Sequence, residues 1–116
     1  MPLSEFESAR VRRAVEVFLE RRRPPPQLRA KVDLGYRISG QSVELFEIRP
    51  KWQGAPGEML EHPFAKATFV RSSSTWKVYW RQADLKWHGY EPAPAVESIE
   101  AFCALVHEDA HCCFFG

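Results

Sequence analysis

Apolar residues recur along the first part of the chain at Val11, Ala14, Val15 and Phe18. That i, i+3, i+4, i+7 spacing makes one apolar stripe on a helix. Ser4 stands three residues before Glu7, the spacing of a capping box that opens such a helix. Arg21, Arg22 and Arg23 suit the negative end of its dipole. Pro24, Pro25 and Pro26 then stop it, because proline lacks an amide proton and clashes with the preceding turn. The pattern predicts a helix over residues 5–22.

From Lys31 the period falls to two. Val32, Leu34, Tyr36 and Ile38 alternate with Asp33, Gly35 and Arg37, which predicts a strand. Ser39-Gly40 reads as a tight turn, and Ser42–Ile48 as the returning strand, ended by Pro50. Residues 51–63 carry Gly54, Pro56, Gly57 and Pro63 and read as a loop. Phe64–Arg71 is a third strand, Ser72-Ser73-Ser74 a turn, Thr75–Gln82 a fourth strand and Trp87–Tyr90 a short fifth. Val96–His111 reads as a second helix, with Ile99, Phe102, Cys103, Val106 and Ala110 on one face. Short loops between successive strands favour antiparallel pairing. The fold class is therefore α+β: an N-terminal helix, an antiparallel meander of four to five strands and a C-terminal helix, with both helices on one face of the sheet.

Length and composition narrow the class further. At 116 residues the chain is one domain by size, with enough surface to bury for a real core. A content of 45% hydrophobic and 27% charged residues excludes disorder. Net charge is +1, so no global field points to nucleic acid or membrane. It is unevenly spread: residues 1–51 hold 11 Lys and Arg against 7 Asp and Glu, and the remainder 5 against 8. The longest apolar run, Ala101–Val106, falls far short of the ~18 residues of a membrane span. No basic-then-apolar signal segment opens the chain. Three cysteines, Cys103, Cys112 and Cys113, are an odd set that argues against a disulfide framework. The expectation is a cytoplasmic protein without a membrane segment.

Trp, Arg and Pro crowd the central stretch. Glu47-Ile48-Arg49-Pro50-x-Trp52, Pro63-Phe64-Ala65-Lys66, Trp76-x-Val78-Tyr79-Trp80-Arg81 and Lys86-Trp87-His88-x-Tyr90 form a spaced series, followed by Asp109-x-His111 and Phe114-Phe115-Gly116. This series resembles a small bacterial family catalogued as domain of unknown function 3024. The likeness runs from the first helix to the final glycine. It implies a short cytosolic single-domain protein and carries no reaction, ligand or catalytic residue.

Several constellations bear on chemistry. Residues two apart on a strand share a face, so Glu47 pairs with Arg49, Lys66 with Thr68, and Tyr79 with Arg81. Aligned by the meander, Glu47, Arg49, Lys66, Tyr79 and Arg81 would form one patch for an anionic ligand, because Arg offers a fork of donors to phosphate or carboxylate. Trp52, Trp80 or Trp87 beside it would stack a base, as in a nucleic-acid site, or pack a protein partner. The bland alternative is a solvated face of cross-strand ion pairs.

A second reading is a metal-dependent, nuclease-like hydrolase. Asp33, Glu44 or Glu47, and Lys66 supply its residue types, since carboxylate oxygens suit magnesium. Arg49 stands where such sites place a lysine. Cys103, His107 and His111 at i, i+4, i+8 would offer a helical metal site, but no second ligand pair with zinc-like spacing exists. No metal and no cofactor is therefore expected. Serine-hydrolase and phosphate-loop motifs are absent. A third reading is an interaction subunit, pairing with a second copy or another protein through a sheet edge or the Trp-rich surface. The favoured expectation is a binding module presenting Glu47, Arg49, Trp52, Lys66, Tyr79, Arg81 and Trp87.

Overall fold

A computed structural model describes residues 2–51, 57–109 and 113–114. Helix α1 spans Glu5–Arg22 and opens on the capping box anticipated above. Ser4 Oγ accepts from the Glu7 amide at 3.1 Å, and the Ser4 amide donates to Glu7 Oε1 at 2.8 Å. The helix ends at Arg22, capped by Arg23, whose backbone is extended at φ −62° and ψ 139°. The residue before a proline is barred from the helical region, and Pro24 follows. A single 3-10 turn at Pro26–Leu28 leads into the sheet.

The strands are β1 (Asp33–Ser39), β2 (Ser42–Pro50), β3 (Met59–Val70), β4 (Thr75–Arg81), β5 (Trp87–Gly89) and β6 (Ala95–Val96). They form one antiparallel sheet in the order β1-β2-β3-β4-β5, with β6 also on β4. Helix α2 covers Ile99–Glu108, capped by Ser98 Oγ accepting from the Ala101 amide.

Two boundaries differ markedly from the sequence reading. Residues 59–63, expected in a loop, are strand, paired from Phe46↔Pro63 to Pro50↔Met59. Pro63 lies beyond the reach of β4, where β3 has only β2 as partner, the edge setting in which a strand tolerates proline. The second helix starts at Ile99 rather than Val96, because Ala95 and Val96 pair with Lys77 and Trp76 as strand. Its expected end at His111 lies outside the described residues.

Both helices pack on one face of the sheet. Val11, Val15 and Phe18 of α1 and Ile99, Phe102, Cys103 and Val106 of α2 share one cluster with Leu34, Val43, Leu45, Ala67, Trp76 and Val78. Each such aliphatic or aromatic side chain gains roughly 1.5–3 kcal/mol on full burial. Between Leu45↔Ala65 and Phe46↔Pro63 the register shifts, which leaves Phe64 as the extra residue of a β-bulge. The bulge turns Phe64 and Ala65 together into the core while Lys66 stays on the far side. No helix among the described residues is long and apolar enough to cross a membrane.

Candidate functional site

The face away from the helices is built by the other half of each alternation. Cross-strand partners place Arg37 beside Glu44, Glu44 beside Lys66, Lys66 beside Tyr79, Thr68 beside Lys77, and Arg81 beside Trp87. Lys66 is the centre of this surface. Its ammonium lies 5.1 Å from the Tyr79 ring centroid and 5.0 Å from that of Trp87. Among the described residues no carboxylate comes within ion-pair distance of it. Each ring face attracts a cation through its quadrupole, by about 0.5–1 kcal/mol at an exposed site. The two rings thus hold one positive charge at a fixed place on the sheet.

Trp87 reaches this position because a tight turn returns the chain. Asp84 accepts from the Lys86 amide at 2.9 Å and from His88 Nε2 at 2.8 Å. The amide bond first, then the imidazole, holds the Asp84 carboxyl below its usual range. Arg81 Nε donates to the Leu85 carbonyl at 3.3 Å across the same turn. Lys77, Lys66 and Arg81 then make this end of the face positive. Lys77 was not singled out from the sequence; its place two residues before Tyr79 is the signal that would have found it.

Toward β1 the charges are balanced. Arg37 bonds to Glu61, lies 3.9 Å from Glu44, and covers the Phe46 ring at 5.1 Å from its centroid. Phe46 is buried on this face over Gly35, where an added Cβ would stand 2.7 Å from the ring.

Of the sequence candidates, Lys66, Tyr79, Arg81 and Trp87 come together. Glu47 and Arg49 do not join them, which corrects the expected single patch. Glu47 pairs with the core residue Leu34 and so lies on the helix face, as does Arg49 two residues on. Their side chains bond to each other at 3.1 Å beside Arg21, Arg22 and Pro24. The reason is parity: the outward residues of β2 are Glu44, Phe46 and Ile48. Trp80 packs against the core on the helix face, and Trp52 lies outside the described residues.

The hydrolase candidates are also parted. Asp33 is held by Arg23 at 2.8 and 2.6 Å and accepts from the Leu34 amide. Chiefly through the guanidinium bonds, its carboxyl sits below the usual range. Glu47 lies on the opposite face of the sheet from Asp33 and Lys66. Cys103 is buried in the core, and burial pushes its thiol up to about 12. His107 Nε2 receives Arg21 at 3.4 Å, and His111 lies outside the described residues. Among the described residues no three His, Cys, Asp or Glu side chains group to hold a metal ion.

Neither a curated protein nor a solved structure matches the chain. One family model does, over residues 3–116, nearly the full length. The chain belongs to that family, described as a domain of unknown function, DUF3024.

Proposed function

We propose that the chain is a non-enzymatic binding module whose uncovered sheet face takes an anionic ligand, with single-stranded nucleic acid as the class that suits it best. The observation that carries this reading is the Lys66 ammonium set between Tyr79 and Trp87, with Lys77 and Arg81 on the same face. Basic groups follow a phosphate backbone, and aromatic rings beside them engage bases without regard to sequence. Holding the ammonium in advance lowers the ordering cost of binding, about 0.5–1.5 kcal/mol per immobilised side chain. A carboxylate-rich protein segment would use the same charges but would lay nothing planar on the rings.

The test is anisotropy of a labelled oligothymidylate, titrated with the protein at about 50 mM and about 200 mM salt. Saturable binding that weakens as salt rises supports the reading, since each phosphate contact releases counterions. No binding at the lower salt removes it.

A further inference from the structure

On the other side of the molecule, α1 and α2 lie side by side. Arg10 reaches Glu100 at the start of α2, and Arg21 reaches His107 near its end, so the two helices run in the same direction. Between them lies a half-open groove of about 300 Å³, lined by Ala14, Val17, Phe18, Cys103 and Ala104 with Arg10, Arg13, Arg21, Glu100 and His107 around it. This is the low end of the size range of small-molecule sites, which are apolar with a few convergent polar groups.

The charges around the groove are unequal in availability. Glu100 is taken by Arg10 at 2.9 to 3.2 Å, which neutralises that end. Arg13 and Arg21 flank the exposed Val17 at i−4 and i+4 on one side of α1. Among the described residues neither has a carboxylate partner. The floor carries no charge of its own, since the Cys103 thiol stays protonated. An apolar floor under unneutralised guanidinium groups is complementary to a molecule with an apolar body and one negative head.

The head has a preferred end of the helix. Carbonyl groups at the C-termini of both helices disfavour an anion near Arg21. That effect fades within one turn, and Arg13 stands more than two turns before Arg22. We propose that this groove binds an amphipathic monocarboxylate, its apolar body on Ala14, Phe18, Cys103 and Ala104 and its carboxylate on Arg13. The site is independent of the sheet face and stands or falls without it.

The probe is n-decanoate, followed by amide chemical shifts in the full chain, with decyltrimethylammonium as the control of opposite charge. Decanoate is expected to saturate at one per chain and to shift residues of α1 and α2, while the cation produces no saturable change. Arg13→Glu should weaken decanoate binding at least tenfold. Ala104→Phe, at an exposed position, should fill the groove and abolish binding with the thermal midpoint unchanged. Equal binding of both amphiphiles, undiminished binding in either variant, or no saturation by decanoate below its micellar concentration would overturn the proposal.

Discussion

The Lys66 ammonium lies 5.0 Å from the centre of the Trp87 ring, although 21 residues and two turns of chain separate them. The contact bridges β3 and β5 across β4, so it forms only when the meander is in register. It is the sheet that makes this half-buried lysine stationary.

A double-mutant cycle follows from that geometry. Lys66→Met keeps most of the apolar stem and removes the charge. Oligothymidylate affinity should fall, and the slope of log affinity against log salt should drop by about 1. Trp87→Ala removes no charge, yet it should weaken binding too, by about 1–3 kcal/mol if a base rests on the ring. The double variant should lose less than the sum, because the ring acts partly through the ammonium it holds. Additive losses would mean that the two side chains work separately. Glu47→Gln, on the helix face, serves as the control that leaves affinity unchanged.

Helix α1 was readable from its ends: a capping box and a triple proline are local signals, and they fixed Glu5 to Arg22. The alternation from Asp33 to Ser39 was equally local. The composition of the face was not, because it depends on parity between strands. Reading Glu47 and Arg49 as companions of Lys66 required the register of β2 on β3, which pairs Glu44 with Lys66. Glu47 stands an odd three residues beyond Glu44 and so turns to the other face, and no single-strand pattern announces which residue of β2 meets Lys66. The α1–α2 groove was invisible for a related reason: it joins Arg13 and Ala104, which are distant in the chain.

Gly35→Ala should destabilise the chain by about 1–2 kcal/mol. A Cβ there meets Phe46 Cε2 at 2.7 Å and Ile48 Cδ1 at 3.4 Å. Phe46 is only 5% exposed, so its ring has little room to withdraw. Overpacking of this kind costs about 1–3 kcal/mol, offset by about 0.4–1 kcal/mol of lost backbone freedom in the unfolded chain. Urea unfolding of Gly35→Ala, Phe46→Leu and the double variant measures it. The smaller leucine should recover part of the loss; a Gly35→Ala penalty unchanged in the Phe46→Leu background would show that the ring is not the obstacle.

Asp33→Asn should cost about 1 kcal/mol at neutral pH, where the carboxylate holds the Arg23 guanidinium through two bonds. Those bonds keep the folded carboxyl below its unfolded value. The folded chain therefore binds fewer protons there, and the pair stabilises fully above about pH 4, the unfolded value. Its contribution disappears as pH falls through the lowered folded value. Urea midpoints of wild type and Asp33→Asn should differ at pH 7 and converge in strong acid. A constant gap across that range would contradict the pairing.

Cys103 should resist alkylation as long as the chain is folded. The thiolate is the nucleophile, and an unfolded cysteine titrates at about 8.5. Burial beside the core, with the nearby Glu100 carboxylate as a smaller cause, pushes the Cys103 thiol up to about 12. At pH 8 the thiolate fraction then falls by about a thousandfold relative to the unfolded chain. Iodoacetamide labelling followed by peptide mass spectrometry should show Cys103 modified far more slowly in the folded chain than in guanidinium-unfolded protein. Because the thiol also floors the α1–α2 groove, a fast native reaction would do more than correct one titration. It would show that the thiolate forms readily in the folded chain, and with it that the floor of the groove is more open than the 8% exposure of Cys103 describes.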